Sequence, residues 1–146
     1  MMKIAIASDH GGFELKQKLI EHFGALGQKL DDLGTCSAES CDYPDVAHKM
    51  VDCLYQKKAE LGILICGTGI GISIAANRFK GIRAAILYDD FAAEMAKKHN
   101  NANVMVFGGR TMSFEDVVRR IGIFMNAEFE GGRHSNRIAK IEEGVG

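Results

Sequence analysis

The sequence predicts an α/β protein: a Rossmann-like, doubly wound sandwich in which a five-stranded parallel sheet carries helices on both faces. Two observations predict it. Apolar runs alternate with segments of helical period along the chain. The runs themselves, such as LGILIC and ANVMVFGG, are nearly continuous in apolar residues, as strands covered on both faces must be. Right-handed crossovers between five such strands give the doubly wound arrangement.

Taken in order, KIAIAS is the first strand. From Phe13 to Leu26 apolar residues recur at Phe13, Leu15, Leu19, Ile20, Phe23 and Leu26, a helical stripe that Gly27 stops. QKLDDLG is a weaker strand, too acidic for the middle of a parallel sheet and so expected near an edge. A loop from Thr35 to Tyr43 leads to Pro44, suited to the first position of a helix running to about Lys58. LGILIC is the third strand, followed by a short helix over about Ile70 to Phe79 and by the strand IRAAILY. Asp90 is the expected cap of a helix through about Lys98. ANVMVFGG is the fifth strand, and Ser113 with Asp116 forms a capping box for a helix to about Ala127. The remainder, EFEGGRHSNRIAKIEEGVG, is polar, with a short helical pattern near Ile138 to Glu142. With no repeat, low-complexity stretch or linker, residues 1–146 read as one domain.

Composition narrows the function classes. A chain of 146 residues, 47% apolar and 25% charged with one proline, buries a single sizeable core. Its net charge of −1 leaves no electrostatic footprint for nucleic acid or an anionic membrane. No apolar stretch approaches a membrane span, and MMKIAIASDHGG has too short an apolar run for a signal peptide, so a cytoplasmic setting is expected. Cys36, Cys41, Cys53 and Cys66 are then expected to stay reduced. Cys36 and Cys41, in CSAESC, lack the further ligands a structural zinc site needs and read as loop cysteines; Cys53 reads as a small core residue.

In such a sheet ligands bind beyond the carboxyl ends of the strands, which directs attention to the residues after Ser8, Cys66, Tyr88 and Phe107. Asp9 in SDHGG either caps a turn or serves chemistry, and His10 beside it lies on a loop at the ligand end. CGTGIGIS places glycines at 67, 69 and 71, with Ile72 where a dinucleotide fingerprint needs its third glycine. Asp89 lies about where the ribose-binding acid of that fingerprint would be, so a nucleotide- or flavin-binding module is a rival reading. The turn also supplies backbone N–H groups that converge on an anion at a helix N-terminus. Cys66 opens it. A cysteine ending an apolar strand is usually packing, but the positive end of a helix favours a thiolate, a good nucleophile or base, and Thr68 can bond to sulfur or substrate. Lys97, Lys98 and His99 close a helix, where the dipole favours cations; His99 with Asn100 is equally an acid/base group with a positioning amide. Arg110 follows the fifth strand. Arg133, His134 and Arg137 gather in EGGRHSNR, either a solvated basic tail or a phosphate clamp on one helix face. The residues alone thus leave open proton transfer beside a carbonyl and thiol-based nucleophilic chemistry.

Together SDHGG, DYPD, GILICGTGIGISIAANRF, GIRAA, HNNANV and EGGRHSNR resemble the ribose-5-phosphate isomerase B family, which includes allose-6-phosphate and galactose-6-phosphate isomerases. The resemblance implies an aldose–ketose isomerase of the pentose phosphate pathway, interconverting ribose 5-phosphate and ribulose 5-phosphate through ring opening and an enediolate. It implies Cys66 as the base that moves a proton between C2 and C1, and the amides of Gly67, Thr68, Gly69, Ile70 and Gly71 as the anion hole, with Thr68 assisting. His99 matches the group that opens the furanose ring, with Asp9 on its other side. His10, Arg110, Arg133, His134 and Arg137 match the phosphate-binding set, and Tyr43 and Asn100 line the site. Members with a later Glu as base differ from this chain, where Ala75 or a neighbour occupies that place. The resemblance further implies a homodimer, with residues 128–146 reaching the partner's site, and no metal or organic cofactor. A hexose 6-phosphate substrate, and a non-catalytic sugar-phosphate sensor, are the remaining alternatives; intact Cys66, Thr68 and His99 speak against the sensor.

Overall fold

The computed structural model describes residues 2–34 and 41–144. Most of the loop expected over Thr35 to Tyr43, Cys36 included, lies outside the described residues. The elements run β1 (Ile4–Ser8), a 3-10 turn (His10–Gly12), α1 (Phe13–Ala25), β2 (Leu30–Asp32), α2 (Tyr43–Tyr55), β3 (Leu61–Cys66), α3 (Ile70–Asn77), β4 (Ala84–Ile86), α4 (Asp90–Lys98), β5 (Val104–Gly108), α5 (Phe114–Asn126) and α6 (Arg133–Glu143). The five strands are all parallel in the order β2-β1-β3-β5-β4. The acidic strand β2 is an edge, as its composition requires, and short β4 is the other.

Alternation along the strands divides the core in two. Ile4, Ile6, Ile63, Ile65, Met105 and Phe107 face α1, α4 and α5. Ala5, Ala7, Leu64, Cys66, Val104 and Val106 face α2 and α3. The second face is lined by smaller side chains, which lets α2 come close; a Cβ on Gly62 would lie 2.5 Å from Met50 Sδ. Cys53 lies in that face, and burial pushes its thiol up from its ordinary value, in keeping with packing rather than reactivity.

The structure corrects four local expectations. Helix α2 ends at Tyr55 rather than about Lys58, because Lys57 takes a left-handed φ of +57°. β4 keeps three of the seven residues of IRAAILY, since an edge strand pairs on one side only. The cap of α4 is Asp89, whose carboxylate accepts from Ala92 N at 2.7 Å, while Asp90 instead binds the Arg119 guanidinium on α5. Asp89 is thereby occupied as a cap, which removes the acid on which the nucleotide reading leaned. Last, α6 is eleven residues long and begins at Arg133, well before Ile138.

Candidate active site

Three loops leave the carboxyl ends of β1, β3 and β5 and touch main chain to main chain. Asp9 N donates to Ile65 O at 3.2 Å, Gly109 N to Cys66 O at 2.7 Å, and Arg110 N to Gly67 O at 2.9 Å. This packing requires glycine. A Cβ on Gly109 would stand 2.5 Å from Gly11 O, and one on Gly12 would overlap the Ile65 side chain. Asp9 is buried and its Oδ1 accepts from Gly11 N at 2.9 Å, so it caps the 3-10 turn while facing the same floor. The Arg110 side chain lies across Gly67. His10 Nδ1 accepts from Cys41 N at 3.2 Å, tying the β1 loop to the approach to α2.

At the centre of this floor is Cys66, 4% exposed, whose Sγ accepts a hydrogen bond from Gly69 N at 3.2 Å. Gly69 makes the turn with φ +85°, a conformation that favours glycine, and is the N-cap of α3 without any side chain to cap it. Thr68 Oγ1 accepts from Ile70 N at 3.1 Å. Two amides of the expected anion hole are thus engaged within the turn: Gly69 holds the sulfur and Ile70 holds Thr68. The first-turn amides beyond them have no intrahelical acceptor by helix geometry and carry the positive end of the α3 dipole. Tyr43, the first residue of α2, packs its ring against the turn; a Cβ on Gly71 would be 2.6 Å from it.

The remaining expected residues collect elsewhere. Because α4 runs from the carboxyl end of β4 back to the amino end of β5, His99 and Asn100 lie at the opposite end of the sheet from Cys66. The five residues of β5 separate them by about 15 Å. This corrects the grouping of His99 with the ligand-end loops. His99 stacks on His134, ring centroids 4.2 Å apart and 13° from parallel. Glu130, absent from the sequence-based site, brings one carboxylate oxygen to both rings, 3.8 Å from His99 Nε2 and 3.5 Å from His134 Nε2. Glu130 N donates to Lys98 O, so the approach to α6 is fastened to the end of α4. Burial pushes His134 below its ordinary value, reinforced by His99 and Arg133 and opposed by Glu130. Arg133 and Arg137 are exposed one helical turn apart on α6, and α6 is a docked helix rather than a solvated tail.

His99, Glu130 and His134 bring their donor atoms within 4.8 Å of one another, the spacing of a metal-binding cluster. The near-parallel rings aim their in-plane lone pairs side by side rather than at one point, so the cluster is not preorganised for an ion. An open groove of about 790 Å³ connects the two ends of the sheet along the β4 edge, from Thr68, Ile70 and Thr111 to Asn100. Ile70 and Tyr88 in its lining are exposed, as are Ile74 and Phe91 on α3 and α4, the helices that contribute to that lining. Arg83 and Glu142, paired at 3.2 Å near Asn100, were also invisible in sequence, because 59 residues separate them.

Comparison with known proteins adds to this geometry. A ribose/galactose isomerase family profile matches residues 4–141. The chain is 41% identical over 141 residues to a ribose-5-phosphate isomerase B of Escherichia coli, covering 97% of this chain and 95% of that one. It superposes on the crystal structure of a ribose 5-phosphate isomerase of Thermotoga maritima with a TM-score of 0.94 and 48% identity, covering 97% and 98% of the two chains. A ribose-5-phosphate isomerase B of Mycoplasma genitalium, solved with bound ribulose-5-phosphate, matches with a TM-score of 0.89 and 40% identity over 97% and 94%.

Proposed function

We infer the chemistry of this site from one premise: the chain belongs to the ribose/galactose isomerase family. It is an aldose–ketose isomerase that interconverts ribose 5-phosphate and ribulose 5-phosphate. The observation that carries the reading is the Cys66 thiol, held by the Gly69 amide at the mouth of a helix N-terminus that no side chain caps.

The steps balance without a redox partner. As the furanose ring opens, His99 takes the proton of the O1 hydroxyl and the ring oxygen, on the side of Asp9, takes up a proton from solvent; His99 then releases its proton to solvent, so the net change is the move of one proton from O1 to the ring oxygen. Cys66, as thiolate, removes the C2 proton of the open aldose. The resulting enediolate carries its charge toward the α3 amides, where fixed N–H dipoles stabilise it more than they do the ground state. Cys66 returns the proton to C1 while the O2 hydroxyl proton passes to O1, giving the ketose. Arg110 and His10 hold the phosphate from one side, and Arg133, His134 and Arg137 from the other; Tyr43 and Asn100 wall the sugar.

That assignment needs two copies of the chain. Within one copy His99 and Cys66 stand at opposite ends of the sheet, so a site containing both is completed by a second copy turned end for end. The apolar groove along the β4 edge supports this pairing, since it joins the two ends, and Ile70, Ile74, Tyr88 and Phe91 are exposed in its lining or on the helices that contribute to it. The unit is then a homodimer of single isomerase domains, in which residues 128–144 stay tied to the end of α4, to Gly81 and to Arg83 of their own chain and present the clamp to the partner. Among the described residues no helix is long and apolar enough to cross a membrane, and a phosphorylated sugar substrate supports a cytoplasmic setting.

A coupled assay comparing ribose, allose and galactose phosphates tests the reaction and its substrate. Ribose 5-phosphate should have the highest kcat/KM, and Cys66→Ala should lose on the order of 10³-fold in kcat while sugar-phosphate binding survives. Preference for a hexose phosphate would overturn the substrate; normal turnover by Cys66→Ala would overturn the base.

A further inference from the structure

We propose that Arg83 and Glu142 are positioning residues, a strut that holds the ring-opening histidine and the phosphate clamp as one unit; this rests on the isomerase reading above. Arg83, just before β4, aims its guanidinium at the turn that follows His99. Its Nε donates to Asn100 O at 2.9 Å and its Nη2 to Asn101 O at 2.9 Å. Its Nη1 reaches Glu142 Oε1 on α6 at 3.2 Å. The other Glu142 oxygen accepts from Gly81 N at 2.8 Å, and the Arg83 amide donates to Asn103 Oδ1 at 2.8 Å. Both side chains are about four-fifths covered, at 20% and 21% exposure.

Such a partner fixes where the turn points. Asn101 takes φ +43°, a left-handed conformation that asparagine tolerates, and the chain reverses there toward β5. The carbonyls at the end of α4 are already taken, Lys97 O by Asn101 N and Lys98 O by Glu130 N, whereas those of Asn100 and Asn101 lie beyond the helix, and a planar guanidinium fork supplies them two donors at a fixed spacing. The same fork fastens α6. That helix is tied to the rest of the chain at both ends, by His134 stacked on His99 and by Glu142 on Arg83 and Gly81. Eight residues, about 12 Å of helix, separate these ties, and Arg137 lies between them. The direction of Arg133 and Arg137 is therefore set by two anchors, and releasing the Glu142 anchor frees the helix to swing about the other.

The two residues should separate in kinetics. Glu142→Gln keeps the shape but removes the charge and one acceptor, loosening the clamp while Arg83 still holds the His99 turn. Its KM for ribose 5-phosphate and the inhibition constant for inorganic phosphate should rise together by about tenfold, with kcat within about twofold of wild type. Arg83→Lys keeps a positive charge but not the fork, so kcat should fall as well, more for the cyclic substrate than for the open chain. A purely structural pair would instead lower the unfolding temperature and leave phosphate inhibition alone. Unchanged KM and phosphate inhibition in a Glu142→Gln protein with the wild-type unfolding temperature would overturn the strut. Should the wild-type chain fail to isomerise any sugar phosphate, the isomerase reading falls, and calorimetric phosphate binding by wild type and Glu142→Gln still decides the strut by the same tenfold difference.

Discussion

His134 shows how one buried side chain ties stability to pH. Burial holds it below its ordinary value of 6.5, and His99, Arg133 and Arg137 push the same way against the opposing pull of Glu130. The folded protein therefore resists a proton that the unfolded chain accepts. Stability from this group is complete above about pH 6.5 and is lost as pH falls from there toward the lower folded-state value. Thermal unfolding of wild type and His134→Gln between pH 8 and pH 5 should diverge below about pH 6.5, with wild type falling more steeply. Parallel curves would refute the assignment. Cys66 differs in kind. Its strand-end position alone favoured packing in sequence; it is buried in the face of the sheet shared with α2 and α3, and its sulfur also lies on the Gly69 amide at the start of α3.

At the scale of elements, the sequence announced what is local. The apolar runs marked four of the five strands, and the acidic QKLDDLG marked β2 as an edge, because burial on both faces tolerates little charge. Ser113 marked the start of α5 because a cap is written in adjacent residues; its hydroxyl accepts from Asp116 N at 3.2 Å. What depends on distant partners was not legible. Nothing near Glu142 announces Arg83, and Glu130 joins the candidate residues only because the fold sets two imidazoles against it. The length of α6 was missed for the same reason, since its hold on the chain comes from contacts rather than from a strong apolar stripe. Gly12 is the sharpest test of element packing. Gly12→Ala would drive a methyl into Ile65 and to 2.9 Å from its carbonyl oxygen, forcing α1 away from β3. Denaturant unfolding should register a loss of about 1–3 kcal/mol. A shift under about 0.5 kcal/mol would mean the contact yields easily.

For the whole molecule, direction decides. The chain order showed that His99 precedes β5 and that Arg110 follows it, which already placed them at opposite ends of a strand; reading the candidates as one cluster overlooked this. A site shared between end-for-end copies makes a prediction that a self-contained site does not. Cys66→Ala and His99→Asn proteins, each inactive alone, should regain activity when unfolded and refolded together. Random pairing makes about half the dimers hybrid, each with one intact site of two, so the mixture should recover about a quarter of wild-type activity. No recovery from folded, dimeric mixtures would place both groups in one chain's site.

The glycine floor has a thermodynamic consequence. Where Gly11, Gly67 and Gly109 meet, the floor on which the sugar is proposed to lie is main chain, without side-chain torsions that binding must freeze. In the proposed binding mode the loss of side-chain freedom falls mostly on the exposed arginines Arg110, Arg133 and Arg137, at about 0.5–1.5 kcal/mol for each long side chain immobilised. A sugar bound in that mode meets a surface already in its final shape, with the entropic cost of recognition concentrated on the phosphate.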